Sequence, residues 1–197
     1  MRGLQMNRWL RMRRAIGAFA RARDGAVAIE FVLVLPILVL LYLGAFEGSK
    51  LFEVSRKANT ATETIGDLVG RTRSVTLREL NNIFDVARAI ISPFDPGELD
   101  VQISAISIDP QGKATVDWSR KRSGAGTQSM PGLAKGSPYA LPPDLKATGN
   151  LFYIIVDTRY SYHSPLIHSV IASSLDIDMT YGIVPRLSSI VPCSDCG

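Results

Sequence analysis

Residues 26–46 read AVAIEFVLVLPILVLLYLGAF, 21 residues with one charged side chain, Glu30. A chain carrying such a segment has few places to put it. As a helix rising ~1.5 Å per residue it covers roughly 31 Å, enough for the ~30 Å hydrocarbon core of a bilayer. A buried helix of a soluble protein rarely runs this long without a polar face. A cleaved secretory signal is disfavoured because the apolar run from Phe31 to Phe46 is 16 residues long and no A-x-A site follows it. A transmembrane helix is therefore expected over 26–46. Pro36 lies inside it, removes one backbone hydrogen bond and is expected to kink it, a defect that membrane helices tolerate.

Charge orients the span. The chain has 197 residues, a net charge of +4 and a pI of about 9.2, which alone points toward nucleic acid or anionic lipid. The distribution removes nucleic acid. Seven arginines stand against the single acid Asp24 in residues 1–25, whereas residues 47–197 hold 15 Lys/Arg and 16 Asp/Glu. The basicity is thus a leader, and the body is near neutral. The positive-inside rule puts residues 1–25 in the cytoplasm. In a bacterium, the expected location is the inner membrane, single-pass, with the C-terminal body in the periplasm.

Glu30 is the costly residue. A carboxylate in a span costs ~2.5–3.5 kcal/mol near the centre on insertion scales, and less toward an edge. Placement at the interface, snorkelling toward Arg23 or lipid headgroups, lowers the cost.

After the span the period stays helical. Leu51, Val54, Ala58, Ala61, Ile65 and Leu68 form one stripe over residues 47–70. Thr76 and Glu79 read as a capping box for a second helix, Leu77–Ile91, and SPFDPG at 92–97 ends it. From residue 99 the period changes to two. Strands are expected at 99–108, with a bulge after Ala105, and at 114–119 across a turn at 109–113. Further strands are expected at 151–163 and 175–184. Residues 120–150 read as a long surface excursion, and 165–173 stay open between loop and short helix. Two helices followed by about four mainly antiparallel strands make an α+β fold. The resulting division is a leader (1–25), a span (26–46), a helical stalk (47–92) and a strand-rich extracytoplasmic domain (93–197).

The search for chemistry yields little. Cys193 and Cys196 form a C-x-x-C one residue from the end, without the following helix that a thioredoxin-type site needs. A zinc half-site would lack two ligands. A small-loop disulfide in an oxidising compartment is the favoured reading. His163 and His168, with serines nearby, lack a nucleophile elbow. Asp176 and Asp178 share a strand face, expected to be solvated, as is the cluster Arg120–Lys121–Arg122. No P-loop, dinucleotide fingerprint or H-E-x-x-H is present. No catalytic residue, metal or cofactor is expected, and the chain reads as a non-enzyme.

Arg23, Gly25, Ala26 and Glu30 together resemble a type IV prepilin cleavage site: a basic leader ending in glycine, then an apolar helix with an acid at its fifth position. The resemblance implies a cut between Gly25 and Ala26 by a prepilin peptidase, and pairing of Glu30 with the new amine of a neighbouring subunit. The wider pattern is similar to the TadE/TadG-like family of Tad (Flp-type) pilus assembly proteins. It comprises Arg23 to Phe31, Pro36, and Gly44 with Glu47. Farther along come Val116–Trp118, the run from Leu141 to Asp157, Tyr160–Tyr162, Pro185–Arg186 and the terminal cysteine pair. The resemblance implies a pilin-like arrangement and a non-enzymatic pseudopilin-like role in assembling a Tad pilus or related export apparatus. Its implied partners are membrane lipid, other minor pilins, the Tad inner-membrane platform and, where the leader is removed, the prepilin peptidase. The alternative is a membrane-anchored periplasmic enzyme or ligand-binding domain with its site in the strand ends and the 120–150 loop.

Overall fold

The computed structural model describes residues 24–145, 149–164 and 174–196. The basic leader up to Arg23, the ambiguous segment 165–173 and His168 within it lie outside the described residues. Helix α1 spans Asp24–Gly70 and contains Pro36. Helix α2 spans Leu77–Ile91, and a 3-10 turn follows at Pro96–Glu98. The strands are β1 (Leu99–Ile108), β2 (Ala114–Arg122), β3 (Met130–Pro131), β4 (Phe152–Tyr162) and β5 (Leu175–Ile183). All pairings are antiparallel, in the order β3-β2-β1-β4-β5. The α+β class is as expected. The sheet has five strands rather than four, because the 120–150 excursion contributes the short edge strand β3.

The chain forms two compact units, Met1–Gly48 and Ser49–Gly197. The described part of the first is helical throughout. In the second, the remainder of α1 and all of α2 share one core with the sheet. Along α1, Val54, Ala58, Ala61, Ile65 and Val69 are fully buried, at the three- and four-residue spacing of one helix face. Val69 completes the stripe in place of Leu68, which is 37% exposed. Ala58, Ala61 and Gly66 keep the helix surface low where it meets the sheet. A Cβ at Gly66 would lie 2.7 Å from a ring carbon of Tyr181 on β5.

The capping box of α2 is formed as its sequence implies. The Thr76 hydroxyl accepts from the Glu79 amide, and the Glu79 carboxylate accepts from the Thr76 amide at 2.8 Å. At the far end, Lys57 on α1 donates to the Ser92 carbonyl at 2.6 Å. This satisfies an acceptor beyond the last helical turn and ties the two helices together. Leu80, Phe84, Ala87 and Ile91 of α2 then bury against the sheet.

The sheet is apolar on both sides at one end. Leu99, Val101, Ile103, Ala105, Trp118, Ile154, Val156 and Tyr160 belong to the helix-side core. Ile106, Ile108, Ala114, Val116, Tyr153 and Ile155 form a second cluster, covered by Tyr139, Leu141, Leu145 and Leu151. The excursion is thus partly a cover for the outer face. This explains the phase change that the sequence presents as a bulge in β1. β1 alternates regularly, and Ile106 and Ile108 are buried because their own face is covered. The register does shift at that point, but the extra residue is in β2: Ala105 opposes Trp118 and Ile106 opposes Val116, leaving Asp117 between.

Arg120 and Arg122 correct another expectation. They are buried on the helix side of β2 instead of solvated. Arg122 pairs with Asp85 of α2 at 2.8 Å and donates to the Gly126 carbonyl, and Arg120 donates to the Ser129 carbonyl. Desolvated guanidinium groups need such partners. Gly124 follows at the strand's end, where a Cβ would collide with the Gly97 carbonyl. Only glycine lets these two backbone segments touch.

Candidate functional site

The apolar half of α1 is a helix with no protein to pack on. No part of its most apolar 18-residue window is buried, and Ile29, Phe31 and Leu33 are 59–67% exposed. Among the described residues it is the one helix long and apolar enough to cross a membrane. Apolar surface on this scale is stable only against another apolar phase. Glu30 is exposed on the same segment. Gly25, in the first turn, has open space where a side chain would stand. The helix continues through Pro36, whose missing N–H leaves the carbonyl one turn earlier, on Val32, without its helical donor. Gly25, Ala26, Glu30 and Pro36 therefore lie on one continuous apolar helix.

The cysteine pair forms a second local structure. Cys193 and Cys196 are joined by a disulfide, with Cys196 buried and Cys193 packed against the main core. The tail before it is fixed by three hydrogen bonds, and the ring itself by a fourth. The Arg186 amide donates to the Gly70 carbonyl at 2.8 Å, and the Val75 amide to the Pro192 carbonyl at 3.0 Å. The Trp118 indole donates to the Val191 carbonyl at 2.7 Å, and the Leu77 amide to the Asp195 carboxylate at 2.9 Å. Ligand atoms of Cys193, Asp195 and Cys196 lie within 4.8 Å of one another. Both sulfurs are consumed by the disulfide, which leaves no thiolate to ligate a metal there.

The third candidate is a shallow trough of about 540 Å³ on the outer sheet face, lined among others by Gln102, Lys121, Asp157, Arg159, Asp178 and Thr180. It lies partly where the ligand-binding alternative would need it. Its groups are largely spent on one another. Arg159 pairs with Asp178 at 2.7 Å, Ser161 donates to Asp176 at 2.8 Å, and Thr180 donates to Asp157 at 2.7 Å. Each is a directly opposed β4–β5 pair, so these acids complete a cross-strand ladder. Burial pushes the Asp157 carboxyl above its ordinary value, opposed by the Thr180 hydrogen bond. Burial also pushes Tyr139 up to about 12, aided by the Asp157 charge.

A raised carboxyl binds its proton more tightly in the folded chain than in the unfolded one. Asp157 therefore favours folding in acid, and that contribution is lost as pH rises from about 3.9 through the folded value. Asp157→Asn, which can still accept from Thr180, is expected to raise the melting temperature at pH 7 relative to the native chain. The gain should vanish near pH 3.5. An equal change at both pH values in a thermal melt would contradict the assignment.

Fold and exposed helix together define a class: an α+β body on an N-terminal, single-pass membrane anchor. Residues 25–66 match the family described as TadE-like protein, the family that the sequence resembles. The matched stretch contains Gly25, Ala26, Glu30 and Pro36. The match covers residues 25–66 alone, so the chain carries a TadE-like segment on a helix long and apolar enough to cross a membrane. No curated protein and no solved structure matches the chain.

Three features of the site region are silent in the sequence: the Asp195 contact with Leu77, the Trp118 contact with Val191 and the Arg122–Asp85 pair. Each joins residues 37 or more positions apart. Trp118 alone had a local mark, as a large aromatic ending a hairpin strand.

Proposed function

We propose that the chain is a non-enzymatic, pseudopilin-like protein of a Tad pilus or related export apparatus, with its leader in the cytoplasm and its body in the periplasm. The observation that supports this best is the TadE-like match over 25–66. It falls on a helix exposed along its apolar length and includes the acid that a simple anchor has no use for. In this reading the peptidase cuts after Gly25, and the amine on Ala26 becomes a cation at the membrane edge. Glu30 of a neighbouring subunit neutralises it, turning two isolated charges into a pair at the depth where either alone is costly. The helix weakened at Pro36 adapts as it leaves lipid for packed protein. The body contacts other minor pilins and the inner-membrane platform.

The N-terminal mass of the protein, purified from cells with and without the prepilin peptidase, tests the proposal. The expected result is a chain beginning at Ala26 in the first strain and an intact leader in the second. An intact terminus in both strains would remove the amine and with it the pairing. A terminus near residue 46 would identify a secretory signal instead.

A further inference from the structure

The N-terminus of α2 is closed by two devices of different origin. One is local, the Thr76–Glu79 box, which satisfies the third amide of the helix. The other comes from 118 residues away: the Leu77 amide, first in the helix, donates to Asp195. Orphan amides at a helix start need such acceptors, and a carboxylate there also complements the helix dipole. Asp195 sits inside the ring closed by Cys193 and Cys196. Before the ring, the tail is already held by Val191, which is fully buried and accepts from Trp118. What the ring adds is the placement of residues 193–196, above all Asp195.

We propose that the Cys193–Cys196 ring is a redox-operated cap. Oxidised, it holds Asp195 on the Leu77 amide and completes the first turn of α2. Reduced, it lets residues 193–196 leave that position while Val191 stays anchored. The half-buried Cys193 is the sulfur open to exchange, since Cys196 is buried. To close the ring, the Cys193 thiolate attacks a small disulfide such as glutathione disulfide, expelling one thiol. The Cys196 thiolate then attacks the mixed disulfide and expels the second. Two protons and two electrons pass from the cysteines to the acceptor. A chain still reduced therefore has its α2 N-terminus held by the Thr76–Glu79 box alone, and the second cap closes once the chain meets a disulfide donor. This inference is independent of the pilus reading.

Amide hydrogen exchange at Leu77, measured on the full chain in lipid nanodiscs, tests it. Reduction with dithiothreitol is expected to speed exchange about fivefold, the fold-change of an ordinary helix cap. Glutathione disulfide should restore the slow rate, and the Trp118 indole proton should keep its protection throughout. Asp195→Ala in the oxidised chain should produce the same acceleration, with no further change on reduction. Unchanged Leu77 exchange in a reduced chain, with both thiols open to alkylation, would overturn the proposal. Additive effects of Asp195→Ala and reduction would do the same, because the ring would then act by another route.

Discussion

Glu30→Gln is expected to abolish pilus-dependent adhesion while leaving the protein at normal levels in the membrane. Two opposite outcomes are in play, which gives the experiment its force. In an isolated anchor, removing a carboxylate from an exposed position among Ile29, Phe31 and Leu33 can only ease insertion, by a fraction of the ~2.5–3.5 kcal/mol that a central charge costs. In an assembling subunit it strips the partner from an amine that has left water. Breaking a buried pair by removing one member costs about 3–5 kcal/mol, and exposure at the membrane edge lowers that figure. Summed over the contacts of a fibre, even a reduced penalty per subunit blocks assembly. The comparison belongs in a strain where deleting the whole protein abolishes adhesion. Maturation must be measured alongside, because a failed cut at Gly25–Ala26 would mimic failed assembly. Wild-type adhesion by the glutamine variant would leave the helix as an anchor and nothing more.

What the sequence made readable is what local patterns encode. The exposed half of α1, the capping box at Thr76 and Glu79, and strands β1, β4 and β5 all follow from spacing and end signals within a few residues, as does β2 up to Ser119, beyond which it runs on to Arg122. Errors arose where a pattern had two physical sources. The phase change at Ala105 and Ile106 has the form of a bulge, because alternation alone does not reveal that the outer face is also covered. The cover, Tyr139, Leu141, Leu145 and Leu151, lies in a stretch rich in glycine and proline whose apolar residues have no period. Arg120 and Arg122 resemble surface residues by composition. Their burial depends on Asp85 and on the Gly126 and Ser129 carbonyls, partners that no spacing rule brings to them.

The candidate site divides in the same way. The anchoring segment could be read because membrane insertion is a property of composition and length, which are linear in the chain. The C-terminal strap, residues 186–196 with the Cys193–Cys196 ring, could not. C-x-x-C indicates that two sulfurs are near each other and says nothing of what lies beneath them. Its role comes from Leu77, Val75 and Trp118, which the fold alone brings to that spot.

Trp118 is where this long-range assembly is most exposed to a single change. It stands at the register shift of β2, opposite the small Ala105, is 5% exposed within the helix-side core, and holds the strap through Val191. Trp118→Ala removes a large buried side chain and leaves a cavity that a sheet pinned on both sides cannot readily close. That costs about 3–5 kcal/mol, a large part of the ~5–15 kcal/mol that stabilises a typical domain. Trp118→Phe separates the two contributions. It keeps much of the apolar volume but leaves the buried Val191 carbonyl without its donor, at about 1–3 kcal/mol. Phe52→Ala, at a position 71% exposed, serves as the control and should fall within about 0.5 kcal/mol of the native chain. Pulse proteolysis of the full chain in detergent, across a urea series, reads the folded fraction of the body without interference from the micelle-bound helix. The expected order of midpoints is native and Phe52→Ala together, then Trp118→Phe, then Trp118→Ala. Only the two Trp118 variants should loosen the strap and speed exchange at the Val75 amide. A Trp118→Ala midpoint matching that of Phe52→Ala would mean that the strap and the sheet are held together elsewhere.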